Sequence, residues 1–177
     1  MQVTETKLKG CFIIQPDVFK DSRGCFFESY NEQKFTKLTG QHGHFVQDNQ
    51  SASSYGVLRG LHFQQGEYAQ AKLVRVLEGK VLDVAVDIRP DSPTYGQSVA
   101  VELSADNHTQ LYIPRGFAHG FSVLSSTAVF AYKCDNVYHK ASEGGIRFDD
   151  PSLNIDWKLP ADKVLLSEKD LDLPFLN

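Results

Sequence analysis

The stretch from Lys72 to Ile88 carries a β pattern that no helix accommodates. Leu73, Val74, Val76 and Leu77 lead into a turn signal at Glu78-Gly79. Beyond it Leu82, Val84, Val86 and Ile88 fall on one face by period two, and Asp83 and Asp87 fall on the other. Related patterns recur along the chain: Cys11 to Ile14, then Val99, Val101 and Leu103, then Gln110 to Pro114. In Thr127 to Cys134, Phe130, Tyr132 and Cys134 share one face while Val129, Ala131 and Lys133 share the other. Asp21 to Gly24 reads as a turn and Arg89 to Pro93 as a loop. Many short strands with Gly/Pro punctuation predict an all-β sandwich or jelly roll with a few short helices. One helix is predicted over 31–39, with Asn31 as N-cap, Phe35 and Leu38 three apart, and Gly40 as its stop. Trp157 and Pro160 are expected to anchor the irregular C-terminal region, where Ser167 is placed to cap a short turn, SEKD.

Composition sets outer limits. A chain of 177 residues with no internal repeat, linker or low-complexity tract is read as one domain, 1–177. The net charge of −4 gives no reason to expect a nucleic-acid partner. No apolar run approaches the roughly 20 residues that span a bilayer, so no membrane partner is expected. The N-terminus MQVTETKLKG has no signal-peptide core. Cys11, Cys25 and Cys134 are odd in number and lack CxxC spacing, which reads as reduced thiols in a cytoplasmic protein.

The candidate site centres on GVLRGLHFQQGEYAQAKLVRV, Gly56 to Val76. A lone histidine among apolar residues, as His62 is here, is ordinarily a packed core residue. The cations that flank it, Arg59 and Lys72, argue otherwise: beside a core they are costly unless an anionic ligand meets them. A second pair, His42 and His44, sits beside Gly40 and Gly43 away from any acidic cluster and reads as a polar loop.

PRGFAHGF, Pro114 to Phe121, resembles the second motif of the cupins, and His62 falls where their first motif would lie, with Gly79 as its closing glycine. A metal-binding cupin carries HxH there; this chain has His62-Phe63-Gln64, so no metal or other cofactor is expected. Six stretches in register, DSRGCFFE, VQDNQSAS, VLRGLHFQ, AKLVRV, IPRGFAHGF and LSEKD, resemble the dTDP-4-dehydrorhamnose 3,5-epimerases over nearly the whole chain. The resemblance implies a metal-free cupin jelly-roll homodimer. It would invert C3 and C5 of a dTDP-4-keto-6-deoxyhexose on the way to dTDP-L-rhamnose. It also implies His62 as base, Tyr132 as acid and Asp170 as the carboxylate paired with the histidine. Ligand contacts are implied at Arg23, Glu28, Gln47, Asn49, Arg59, Lys72, His119, Glu143 and Lys169. Two alternatives stay open: a relative that inverts only C3 of another nucleotide ketosugar, and a non-catalytic sugar-binding cupin.

The chemistry explains why these residue types suit that reaction. Both protons lie α to a ketone, so their removal gives an enolate and calls for no cofactor. Histidine, with an ordinary pKa near ~6.5, suits the base. Asp170 would fix its tautomer. Lys72 can meet the charge that develops on O4, a contact typically worth about 3–4 kcal/mol. A phenol at Tyr132 can return a proton from the other face. With no glycine-rich phosphate loop in the chain, Arg23 and Arg59 are expected to grip the pyrophosphate.

Overall fold

The computed structural model describes residues 1–176. Thirteen strands and two α-helices follow one another as β1 (Gln2–Glu5), β2 (Phe12–Gln15), β3 (Phe19–Asp21), β4 (Gly24–Phe26), α1 (Glu32–Thr39), β5 (Gln47–Ser54), β6 (Leu58–Gln64), β7 (Lys72–Glu78), β8 (Lys80–Asp87), β9 (Ser98–Ser104), β10 (Gln110–Ile113), β11 (Phe117–Val123), β12 (Thr127–Cys134), β13 (Glu143–Gly145) and α2 (Glu168–Leu171). A six-stranded sheet runs β1-β2-β10-β7-β12-β5 and a five-stranded sheet β13-β6-β11-β8-β9; β3 and β4 form a separate hairpin. All the ladders are antiparallel. The expected β-sandwich is therefore present.

Three apolar clusters hold it together. The first lies between the sheets: Val74 and Val76 of β7, Leu111 and Ile113 of β10 and Phe130 of β12 meet Val81, Ala85, Leu103, Phe121 and Val123. The second covers the outer face of the five-stranded sheet. There Leu82, Val84 and Val86 meet Ile146, Leu153 and Trp157 from the C-terminal region. Trp157 is anchored further by its indole N–H, which donates to Phe148 O. The third cluster packs Phe35 of α1 with Phe12, Ile14, Leu73 and Tyr112.

Because the five-stranded sheet is covered on both faces, β8 is buried from Val81 to Asp87. This explains how the alternation there must be read. Leu82, Val84 and Val86 face the C-terminal layer, and the face carrying Asp83 and Asp87 is turned into the protein. Between β7 and β8 the chain does not form a hairpin; it changes sheets at Gly79. That glycine has φ +76°, and a Cβ there would lie 2.0 Å from Thr127 O. Only glycine fits such a corner.

α1 begins and ends as predicted. Asn31 Oδ1 accepts from Lys34 N, a cap worth about 1 kcal/mol, and Gly40 takes φ 68° and donates to Thr36 O. Its buried face differs from the expected one. Phe35 is 1% exposed, but Leu38 is 47% exposed and Thr39 is buried instead. So short a helix is held by Phe35 packing rather than by propensity. Among the described residues no helix is long and apolar enough to cross a membrane.

Candidate active site

The site is built from both sheets. On the five-stranded sheet β6 and β11 pair with His62 directly opposite His119. On the six-stranded sheet β12 pairs with β5 and β7, bringing Tyr132 opposite Asn49 and Cys134 opposite Lys72. Lys72 Nζ lies 5.8 Å from the centre of the Tyr132 ring. His62, His119, Lys72, Tyr132, Asn49, Arg59, Lys169 and Asp170 all line one cavity of about 400 Å³. Phe121 and Phe130 also line it, stacked with ring centroids 4.2 Å apart.

Asp170 reaches His62 from α2. Ser167 caps that turn as expected, accepting from Asp170 N. The carboxyl group is 5% exposed, and Asp170 Oδ1 lies 2.5 Å from His62 Nε2. Burial alone would raise the Asp170 pKa. The His62 hydrogen bond and charge, the Ser167 side chain and a backbone N–H from Gly60 outweigh it and hold the carboxyl below its ordinary value. An ionised carboxylate only accepts, so Nε2 carries the proton and Nδ1 keeps its lone pair as the basic atom.

His119 forms a second, deeper pair. Its Nε2 lies 2.8 Å from Asp83 Oδ1, and both side chains are buried. Burial lowers the His119 pKa, opposed by Asp83 and reinforced by the nearby charges of Lys72 and His62. Burial likewise lowers Lys72, opposed by Cys134, Asp83 and Glu143. Tyr132 is raised, chiefly by burial, so its phenol stays protonated at neutral pH.

Gln47 and Glu143 line an adjoining cavity of about 320 Å³ that shares Asn49, His62, Lys72 and Tyr132 with the first. Gln47 Nε2 donates to Asn49 Oδ1, Glu143 accepts from Tyr138 Oη, and Lys169 Nζ lies 2.5 Å from Glu143 Oε1. The Lys169 hydrogen bond holds Glu143 below its ordinary carboxylate value.

One expectation changes. Arg59 is not held against a core: its side chain is exposed at the cavity and Nε donates to Ser53 Oγ. Its neighbour Leu58 points to the other face, as strand alternation requires, and Leu61 joins Leu58 there because the β6–β11 register shifts between Arg59 and His62. Arg23 and Glu28 line neither cavity. Arg23 is 88% exposed and pairs with Asp21 in the β3–β4 hairpin, and Glu28 pairs with Lys34. The replacement of HxH has a structural use, because Gln64 Oε1 accepts from His139 N. Among the described residues no three His, Cys, Asp or Glu side chains converge as a metal site would require. His44 instead sits beside Glu32 at 3.9 Å.

Sequence reasoning passed over Asp83 and Phe121 as parts of the site, whereas Phe130 shares the Tyr132 face in the sequence pattern. The signal for Asp83 was its place in the middle of an apolar strand, where a charge needs a partner.

The family model for dTDP-4-dehydrorhamnose 3,5-epimerase matches residues 5–177. The chain is 53% identical to the dTDP-4-dehydrorhamnose 3,5-epimerase of Shigella flexneri, covering 97% of this chain and 94% of that one. The crystal structure of the enzyme of that name from Elizabethkingia anophelis superposes with a TM-score of 0.96 at 62% identity, covering 99% of this chain and 96% of that one. The dTDP-6-deoxy-D-glucose-3,5-epimerase of Legionella pneumophila, solved with dTDP-4-keto-L-rhamnose, gives a TM-score of 0.94 at 50% identity, covering 98% and 92%.

Proposed function

This chain belongs to the dTDP-4-dehydrorhamnose 3,5-epimerase family, and from that premise we propose how its residues carry out the reaction. The enzyme is a cupin-fold isomerase. It converts dTDP-4-dehydro-6-deoxy-D-glucose to dTDP-4-dehydro-L-rhamnose, for dTDP-L-rhamnose biosynthesis. His62 Nδ1 takes the proton from C3 or C5, and the electron pair moves onto O4 as an enolate. The hydrogen bond from Nε2 to Asp170 fixes the tautomer and stabilises the imidazolium that forms. Lys72 meets O4. Tyr132, from the opposite sheet, delivers its phenolic proton to the other face of the carbon, which completes inversion. The observation that carries this reading is the placement of His62, backed by Asp170, on one wall and Tyr132 with Lys72 on the other. Incubation with the ketosugar, a 4-ketoreductase and NADPH tests it: dTDP-L-rhamnose is the expected product, and a D-configured sugar is the contrary result.

We further infer that the active unit is a homodimer. Arg59 supplies one cation at the cavity, and the pyrophosphate calls for more. Arg23 stands on a hairpin that joins neither sheet and exposes Phe19 and Phe26, the latter 72% exposed. Reaching into a partner's cavity would cover both rings and bring Arg23 and Glu28 to the nucleotide. Mixing inactive Arg23→Ala with inactive His62→Ala regenerates one intact site per mixed dimer. Recovered activity supports the dimer; a fully active monomer by sedimentation refutes it.

A further inference from the structure

Burial makes the Lys72 ammonium costly, and among the described residues it has no ion pair. Across the gap between the sheets, Asp83 has the complementary defect. Its side chain is fully buried; Oδ1 is bound to His119, and Oδ2 has no hydrogen-bond partner among the described residues. A buried carboxylate oxygen left bare is expensive unless a charge nearby compensates it. We propose that Asp83 is a positioning residue, the buried counter-ion that keeps Lys72 charged while leaving its ammonium free to meet O4. A direct ion pair would occupy the donors that the enolate needs; a carboxylate held back by His119 supplies the field without the contact.

This proposal rests on the reading of Lys72 as the cation at O4. The other titratable or charged groups around Lys72 are Cys134 and Tyr132 on β12, Arg59 and His62 on β6, His119 on β11, Glu143 on β13, and Lys169 and Asp170 on α2; β10 places Ile113 opposite it. Of the acidic ones, Glu143 already has Lys169 as its partner, Asp170 has His62, and Cys134 is a thiol pushed up to about 11 by burial, so none replaces Asp83.

The test follows Lys72 directly. Protein labelled with ¹⁵N at the lysine side-chain nitrogens is titrated without substrate, the Lys72 signal being assigned by its loss in Lys72→Arg. Asp83→Asn keeps the shape and an acceptor for His119. In it the Lys72 midpoint falls by about one pH unit or more, and Asp83→Glu restores it. In the same Asp83→Asn protein kcat falls about tenfold or more while KM changes little, since the lost stabilisation belongs to the transition state. A lowered midpoint with unchanged kcat would support the counter-ion and refute the role given to Lys72. Should Asp83→Asn fail to fold, the reciprocal measurement uses Lys72→Met, where the Asp83 carboxyl carbon titrates at higher pH than in the wild type. An unmoved Lys72 midpoint in the first variant, or an unmoved Asp83 midpoint in the second, overturns the proposal.

Discussion

His62 Nε2 and Asp170 Oδ1 lie 2.5 Å apart although the two residues stand 108 positions apart in the chain. The contact depends on a helix of four residues, Glu168–Leu171, delivering a carboxylate to the middle of β6. Removing the charge while keeping the shape therefore disturbs the tautomer of His62 and leaves the base in place. Asp170→Asn is expected to lower kcat by about 10²–10⁴ with residual turnover and a small change in KM. Steady-state kinetics checks this; a variant with wild-type kcat would remove Asp170 from the mechanism.

Gly60 sets the path of β6 just before His62. Its φ is +121°, and a Cβ there would lie 2.6 Å from the Gly120 Cα and 2.7 Å from His119 O. Both neighbours are backbone, so neither can step aside. Gly60→Ala is expected to destabilise the fold by about 2 kcal/mol or more and to cut activity as β6 and β11 separate. Urea unfolding beside an activity assay measures both, and a fully stable, fully active variant would contradict the packing described.

Asp87 is the most heavily bonded carboxylate in the fold. It accepts from Arg89, Ser92 and Thr94 side chains and from Arg89 N, and its side chain is fully buried. Burial would raise its pKa, but these donors prevail and hold it far below the ordinary carboxylate value. A carboxylate depressed in the folded state adds stability above its unfolded pKa, and that stability is lost progressively as pH falls below about 4. Asp87→Asn is expected to cost about 3 kcal/mol at pH 7 and less in acid. Chemical denaturation at neutral pH and near pH 3 separates the cases; an equal cost at both would show that charge is not what Asp87 contributes.

Much of this architecture was legible from residue pattern, for identifiable reasons. The strands around Lys72–Ile88 and Thr127–Cys134 show in their alternation, and α1 shows in its Asn31 and Gly40 ends. What stayed hidden was long-range. Gly79 reads as a turn whether the flanking strands pair or part to different sheets. Leu38 reads as core until Phe35 and Thr39 are seen to form the buried face of α1. Asp83 on an alternating strand does not announce that its face is covered. Motif resemblance supplied His62, Tyr132 and Asp170, the first and third as a pair; the fold adds their 2.5 Å contact and the place of the second on the opposite sheet.

Tyr132→Phe separates inversion from proton removal. The ring stays in its place between Phe130 and Lys72, so packing is kept and the proton is lost. The variant is expected to retain solvent deuterium exchange driven by His62, while inversion falls by about 10²–10⁴. Exchange and product stereochemistry are read in one sample, and inversion of both carbons at an unchanged rate would require another donor.

The central claim is that one histidine serves both carbons. In D₂O the wild-type enzyme is expected to wash deuterium into C3 and C5 of the ketosugar. His62→Ala is expected to lose both exchanges together while still binding the nucleotide through Arg59, followed by calorimetry with dTDP. Exchange at either carbon at close to the wild-type rate in His62→Ala would contradict the account and place a base elsewhere in the cavity.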